Sequence, residues 1–242
     1  MWLGPAPLSS GAGQLTGLSV QQHPSDNCGP RRDGLTPYLI VLHYTAMTSP
    51  EAALERLCNP DHEVSAHYLV GQSGQIWQLV EEDQRAWHAG AGSWQGVDDI
   101  NSRSIGIELC NDGMSPFHDP QMVATEALLS AIRQRHAIPA SGVIGHSDTA
   151  PGRKSDPGPR FDWARLARLG QAFAPISDAC MDVDAVAFSR DLTRIGYDAT
   201  VPETLDAFRQ RSRPWVTGPL DNRDMALARA WAQAVDAQAA SA

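Results

Sequence analysis

The 242-residue sequence has little lysine and no excess of positive charge. Lysine and arginine together number 19, against 28 aspartates and glutamates, which gives a formal net charge of −9. Non-specific binding to nucleic acid depends on a basic surface, so this balance argues against a nucleic-acid-binding protein. Lys154 is the only lysine in the chain. Arginine supplies every other basic charge, which raises the question of why this position carries a primary ammonium.

Long apolar runs and paired cysteine motifs are also missing. No apolar stretch approaches the ~20 residues that a membrane-spanning helix needs, and residues 1–17 lack the basic and apolar regions of a secretory signal. The protein is therefore expected to be cytoplasmic, with the periplasm or cell envelope as the alternative. The four cysteines show no C-x-x-C spacing, which disfavours a zinc ribbon. Free buried thiols are favoured, and three disulfide pairings stay open.

Composition and periodicity divide the chain into three parts. Residues 1–36 are rich in glycine, proline and serine, and we expect them to be irregular. Strand-like and helical patterns alternate over residues 37–175, which predicts an α/β catalytic domain. Residues 178–242 carry helical patterns only, and we expect them to form a small module of three helices.

Three polar side chains occur in strand-like segments where apolar residues are expected. His43 ends a continuous apolar run, Glu108 lies inside a second one, and His146 follows a third. A buried carboxylate needs a partner, and the strand ends of α/β sheets open onto the crevices where ligands bind. The segment after His146 is rich in proline and glycine, and it can turn Lys154 and Asp156 toward the same crevice.

Two histidines and a carboxylate are the ligand set of an open zinc site, in which three protein ligands leave a position for water. His43, His146 and Asp156 are therefore candidate zinc ligands. Zinc would lower the pKa of the water and polarise a carbonyl, with Glu108 as the base and Lys154 facing the developing oxyanion. Each residue alone has an ordinary structural explanation, and the combination is what indicates a hydrolase.

Five segments in fixed order carry a resemblance to a known family. They are IVLHYTA, VSAHYLV, AWHAG, SIGIEL and the loop of residues 145–163. With them the sequence resembles the zinc-dependent N-acetylmuramoyl-L-alanine amidases, whose family also holds the peptidoglycan recognition proteins and T7 lysozyme. The resemblance implies a central mixed sheet flanked by helices and a zinc cofactor. It also implies hydrolysis of the amide bond between N-acetylmuramic acid and L-alanine in peptidoglycan or muropeptides, and the choice between the 1,6-anhydro sugar and intact glycan stays open.

The resemblance also implies residue roles. His43, His146 and Asp156 match the zinc ligands, Glu108 matches the catalytic carboxylate, and Lys154 matches the lysine beside the third ligand. The string His-Tyr-Thr-Ala is more similar to the envelope-associated branch than to the recycling enzymes. The helical tail resembles a peptidoglycan-binding module through FRQR and TGPLD, and whether it binds glycan or only packs on the catalytic domain stays open.

Three further side chains are candidate contacts of the substrate. His88 lies in a loop near the expected site, and Trp94 is expected to line the same groove and to pack on sugar rings. His67 lies in the middle of a strand, where a structural role or a role behind the metal ligands is favoured.

Two other functions compete with a muramoyl amidase. A peptidoglycan receptor would share the fold without catalysis, but such receptors lack the full ligand set that this sequence retains. A different zinc hydrolase, such as a peptidase, would share the ligand types, but the H-E-x-x-H motif of many zinc peptidases is absent.

Overall fold

The computed structural model describes residues 18–240 of the chain. The strands are β1 (Val20–Gln22), β2 (Cys28–Pro30), β3 (Leu39–Tyr44), β4 (Tyr68–Val70), β5 (Ile76–Gln78), β6 (Gln84–Ala86), β7 (Ser104–Leu109) and β8 (Val143–Gly145). The α-helices are α1 (Pro50–Cys58), α2 (Ile100–Arg103), α3 (Asp119–His136), α4 (His146–Thr149), α5 (Trp163–Arg168), α6 (Ala185–Ile195), α7 (Thr204–Ser212) and α8 (Asn222–Ala239).

Six strands form one mixed sheet in the order β1-β5-β4-β7-β3-β8. β4 and β5 form an antiparallel hairpin, whereas β3 pairs in parallel with both β7 and β8. β2 and β6 form a separate antiparallel pair. The predicted mixed sheet flanked by helices is confirmed.

The long central strand β3 is covered by apolar side chains on both faces, which explains its continuous apolar sequence. From β3, Ile40 and Leu42 point into a core that also contains Leu128 and Leu129 of α3. Val41 points to the opposite side of the sheet, as the two-residue period of a strand requires.

The three helices predicted near the C-terminus cover that opposite side. Phe188 of α6, Phe208 of α7 and Trp231 of α8 belong to one buried cluster with Val41 and Ile144 of the sheet. Burial of each large apolar side chain typically contributes about 1.5–3 kcal/mol. The helices therefore share a hydrophobic core with the sheet.

The helices begin and end at residues suited to those positions. Ser49 accepts a hydrogen bond from the Ala52 N–H at the start of α1, and Asp221 caps α8 through the N–H groups of two following residues. Gly196, with φ of +135°, ends α6, because residues with a Cβ rarely adopt that conformation.

The expectation of an irregular N-terminal segment is corrected. Within residues 18–36, β1 pairs with β5 and β2 pairs with β6, because the edges of β5 and β6 were free to accept a strand. Residues 1–17 lie outside the described residues. The segment after β8 begins with the helical turn α4. Helix α5 ends at Arg168, shortly before Gly170, which adopts φ of +66°.

The thiols of all four cysteines are free. Among residues 18–240, no helix combines the length and the apolar character needed to cross a membrane.

Candidate metal centre

The candidate site lies where three neighbouring parallel strands end. His43 on β3 is paired directly with Glu108 on β7, so both side chains belong to the same end of the sheet. On the other side of β3, Leu42 is paired with Gly145, the residue before His146. The order β7-β3-β8 thus sets Glu108, His43 and His146 side by side.

Asp156 completes a buried group of three metal-binding side chains. Its Oδ2 lies 2.8 Å from Nδ1 of His43 and 3.0 Å from Nδ1 of His146, and the two Nδ1 atoms are 3.0 Å apart. Zinc bonds of about 2.0–2.1 Å in a tetrahedral site would separate the ligand atoms by roughly 3.3 Å. The three separations are within about half an ångström of that value, and all three residues are buried.

The electrostatics keep these groups in their metal-binding forms. Burial and, to a smaller extent, the nearby His146 lower the pKa of His43 to about 4, so the imidazole is neutral at pH 7. Burial opposes ionisation of Asp156, but its close contacts with His146 and His43 outweigh that effect and hold the pKa of this carboxyl well below its usual range. Neutral histidine and ionised carboxylate are the states that bind metal.

A directed chain of hydrogen bonds fixes the ring of His43. Nε2 of His43 lies 3.0 Å from Nδ1 of His88, and Nε2 of His88 lies 3.2 Å from Oγ of Ser104. Ser104 donates to the carbonyl of Ile100 at 2.6 Å. If Nδ1 of His43 is kept for a metal, its proton is on Nε2, and every donor in the chain then meets an acceptor.

The backbone beside His88 orients the second histidine ligand. Nε2 of His146 donates to the carbonyl of Ala89 at 2.9 Å. The amides of His88 and Ala89 both donate to Oδ1 of Asn101, at 3.0 and 2.8 Å. One short segment therefore holds both rings, as groups behind the ligands do in most metal sites.

Gly106 in β7 makes room for this arrangement. A Cβ at this position would lie 2.5 Å from Cγ of His88, closer than side chains pack. The glycine therefore allows the His88 ring to lie against the strand.

Glu108 is half-buried, and its Oε2 is a buried oxygen for which the described residues provide no hydrogen-bond partner. Burial and, to a smaller extent, Asp156 raise the pKa of Glu108 to about 8, against an opposing effect of Lys154. A buried carboxyl oxygen without a partner is costly. Its position in the same cavity as the ligands fits a proton-carrying group bound beside it.

Two adjoining cavities of about 370 and 550 Å³ open over the ligands. Lys154 is exposed and lines both of them. Trp87, His88, His146 and Arg153 also line both, so the cavities form one groove around the site.

The structure separates the three candidate substrate contacts. His88 lines the groove but is also bonded to His43. His67 lies behind it: its Nδ1 accepts the Gly106 N–H at 2.9 Å, and burial followed by the charge of Arg31 lowers its pKa to about 3.

Trp94 is not brought to the groove. Its side chain is 1% exposed and packs edge-on against Tyr197, with ring centroids 4.9 Å apart. It therefore has no free face for a sugar ring, which corrects the expectation. The half-buried Trp87, which sequence reasoning passed over although it lies directly before His88, lines the groove, as does Tyr44.

The family model described as N-acetylmuramoyl-L-alanine amidase matches residues 33–159. The chain belongs to this family. The match spans all three metal-binding residues together with Glu108 and Lys154.

Individual relatives extend this family assignment. The N-acetylmuramoyl-L-alanine amidase AmiD of Escherichia coli (strain K12) is 34% identical over 226 residues, covering 79% of this chain and 81% of that protein. The 1,6-anhydro-N-acetylmuramyl-L-alanine amidase AmpD of Citrobacter freundii is 36% identical over 163 residues, covering 60% of this chain and 87% of AmpD.

A solved structure of AmiD from E. coli, in complex with the substrate anhydro-N-acetylmuramic acid-L-Ala-D-gamma-Glu-L-Lys, matches with a TM-score of 0.74 and 33% identity. It covers 84% of this chain and 91% of that chain. Residues 1–184, which precede the C-terminal helices, make up only about three quarters of the sequence. A match over 84% of the chain therefore includes part of those helices. AmpDh3 from Pseudomonas aeruginosa gives a TM-score of 0.74 at 30% identity, covering 84% of this chain and 94% of its own.

Proposed function

We propose that this chain is a zinc-dependent amidase that hydrolyses the bond between the lactyl group of N-acetylmuramic acid and L-alanine. The observation that carries the proposal is the cavity in which His43, His146 and Asp156 meet beside the unpartnered oxygen of Glu108. A receptor would need no such oxygen beside a metal-binding group.

The donor set and its spacing fit zinc. Two neutral imidazoles and one carboxylate oxygen are ligand types of catalytic zinc sites with an open position. Zinc held there supplies a water of lowered pKa and polarises a carbonyl oxygen. His88 and the Ala89 carbonyl hold the two imidazoles in place from behind.

Glu108 is proposed to hold and transfer the proton. Its carboxylate is the group of the cavity that can accept a proton from an attacking water and return it to the leaving amine of L-alanine. Its burial keeps bulk water from competing, and a neighbouring positive charge favours the ionised form that a base needs.

Lys154 is proposed to face the oxyanion that develops on the scissile carbonyl. Its ammonium is a compact charge on a flexible stem, and the loop that carries it also carries Asp156. Charge stabilisation of this type acts in the transition state.

The proposed substrate is a peptidoglycan-derived muropeptide, in the 1,6-anhydro form as well as in intact glycan. The larger cavity is lined by Arg32, Arg85, Arg153 and Lys154, and these cations complement the carboxylates of a stem peptide. The solved complexes of AmiD and AmpDh3 contain anhydromuramyl peptides.

Mass spectrometry of digests tests the proposal directly. Purified protein is incubated with an anhydromuramyl tripeptide and, separately, with intact sacculi, each with and without a chelator. We expect free tripeptide and anhydromuramic acid, loss of turnover with chelator, recovery on adding zinc, and about one zinc per chain. His146→Ala should lose both metal and turnover. Binding of muropeptide without cleavage by the zinc-loaded protein would instead indicate a receptor.

We also propose that residues 178–242 contribute to binding of insoluble glycan. Trp215, in the segment between α7 and α8, is 64% exposed. Its ring centroid lies 5.4 Å from the guanidinium carbon of Arg160, which follows the loop that carries Lys154 and Asp156. The exposed indole therefore lies next to the loop that shapes the groove.

A further inference from the structure

The C-terminal helices reach the metal centre through a buried polar contact. Asp148 lies two residues after His146 in α4, and its Oδ2 accepts the N–H of Gly145 at 2.8 Å. Gly145 is the last residue of β8 and directly precedes His146. The carboxylate thus closes the turn from which the second histidine ligand projects.

Arg211 of α7 holds this carboxylate from the other side. Its Nη2 donates to Oδ2 of Asp148 at 2.5 Å. Its Nη1 donates to the carbonyls of Val143 and Phe173, at 3.2 and 2.9 Å. Val143 is the first residue of β8, so one guanidinium contacts the start of the strand and the carboxylate that closes its end.

The position of this guanidinium is closely fixed. The side chains of Arg211 and Asp148 are only 1% and 3% exposed. The guanidinium carbon lies 3.8 Å from the ring centroid of Trp163 and 4.8 Å from that of Trp231. Stacking on aromatic rings while donating several hydrogen bonds is a geometry that arginine provides and lysine does not.

Tyr197, in the segment between α6 and α7, binds the second oxygen of the same carboxylate. Its hydroxyl donates to Oδ1 of Asp148 at 2.6 Å. The ring is fixed by edge contacts with Trp94 and Trp231, at centroid distances of 4.9 and 5.8 Å. Both oxygens of Asp148 are therefore held by residues that lie after position 178 in the sequence.

Simple stabilisation does not explain the placement of this network. A buried ion pair gains little over apolar packing, because desolvation offsets its attraction. Here the partners of the ion pair are backbone groups at the two ends of β8, the strand that leads to a candidate metal ligand. Groups behind metal ligands typically change metal affinity 10- to 100-fold when they are removed.

We propose that Asp148, Arg211 and Tyr197, the clamp, position His146 for metal binding, so that the C-terminal helices are part of the metal centre. This inference rests on the proposed function only in taking His146 as a metal ligand. Arg211 and Tyr197 contact neither the metal-binding atoms nor the groove, and they are positioning residues.

Conservative variants of the full-length protein test the clamp. Arg211→Lys keeps the charge but loses the fork and the stacking, and Tyr197→Phe removes a single hydroxyl. Arg209→Lys is the matched control, since Arg209 is equally buried and its Nη2 binds Asp224 at 2.5 Å inside the helical module. Tyr68→Phe is the second control, because its buried hydroxyl binds Glu82 at 2.7 Å, away from the turn.

Three measurements are made on variants whose circular dichroism shows a folded protein. Zinc affinity is measured by competition with a chromophoric chelator, and ligand geometry by the visible absorption of the cobalt-substituted protein. Amide hydrogen exchange of the peptide spanning residues 143–150 is followed in the zinc-free protein. We expect Arg211→Lys and Tyr197→Phe to weaken zinc binding about 10-fold or more, to alter the cobalt spectrum and to speed exchange in that peptide. Both controls should match the wild type.

The two proposals fail differently. Failure of the wild type to bind one zinc in the same titration would overturn the proposed function, whereas the exchange measurement would still report on the clamp. The clamp is overturned if the two clamp variants keep wild-type zinc affinity and exchange. Equal weakening in Arg209→Lys and Tyr68→Phe would also overturn it, because the effect would then be one of general stability.

Discussion

His43 and His88 are joined by a 3.0 Å hydrogen bond between Nε2 of the first ring and Nδ1 of the second. Because Ser104 donates to the carbonyl of Ile100 and accepts from His88, the chain of bonds places the proton of His43 on Nε2, so Nδ1 is left with a free lone pair. His88 is in turn held by Ser104 and lies against Gly106. A residue that the sequence suggested as a substrate contact thus also supports a candidate ligand.

Replacing His88 tests this relationship. His88→Ala should leave a buried N–H of His43 without its acceptor and should weaken zinc binding about 10- to 100-fold. Affinity is measured by chelator competition on folded protein. His136→Ala is the control, because His136 is bound to Glu82 instead. Unchanged affinity in His88→Ala would show that the ring serves the substrate alone.

Replacing Glu108 should lower the turnover rate without loss of zinc, whereas replacing a metal ligand should lose both. Glu108→Gln keeps the shape of the side chain but removes the base, so kcat should fall by ~10² to 10⁴. Zinc content by elemental analysis should stay at the wild-type level, since Glu108 is not one of the three clustered ligands. A kcat near that of the wild type with zinc present would show that another group moves the proton.

Lys154 should act through the transition state. Lys154→Ala should lower kcat by ~10² to 10³, with zinc retained and a smaller effect on KM. Lys154→Arg keeps the charge in a wider, planar group and should recover part of the activity. The kcat of both variants on a soluble anhydromuramyl peptide is compared. If Lys154→Ala mainly raises KM, the residue binds the stem peptide and does not stabilise an oxyanion.

The sequence was sufficient for the features that depend on local patterns. Continuous apolar runs predicted the central strands, and a histidine or carboxylate within each run predicted the residues that meet at their ends. Burial that depends on distant partners could not be predicted in this way. Trp94 looked like a groove residue, yet Tyr197, about 100 positions later, covers it.

The clamp shows the same limit. In the sequence, Asp148 is one more polar residue after His146, and Arg211 belongs to the FRQR string of the helical tail. Their ion pair, across 63 positions, exists because α7 packs against α4 and the end of β8. The signal available in the sequence was a charged residue on an otherwise apolar helix face. That signal does not identify the residue with which it pairs.

The raised pKa of Glu108 predicts how stability depends on pH in the zinc-free protein. The unfolded carboxyl has a pKa near 4.5 and the folded one a pKa of about 8, so the folded state keeps a proton that the unfolded state has lost. Stability from this group is full below pH 4.5 and is lost as the pH rises to 8. With allowance for solvent near a half-buried group, the loss should be about 2 kcal/mol.

Urea unfolding of chelator-treated protein between pH 5 and 8 measures this loss. Glu108→Gln is neutral throughout, so its free energy of unfolding should fall less over this range than that of the wild type, and the difference isolates Glu108. Saturating zinc should reduce the difference, because a nearby dication favours the carboxylate. Parallel profiles of the two zinc-free proteins would show that Glu108 is already ionised at pH 5.

Binding to insoluble glycan should depend on the exposed face of the helical module. Deleting residues 178–242 would strip Val41 and Ile144 of their cover, so a point variant is the better test. Trp215→Ala should lower the fraction of protein that sediments with sacculi severalfold, because it removes the exposed aromatic face beside Arg160. Turnover of a small soluble anhydromuramyl peptide should be unchanged. Val186→Ala is the control, since Val186 is 80% exposed on α6. Equal sedimentation of Trp215→Ala and the wild type would mean that this indole has no part in holding the glycan.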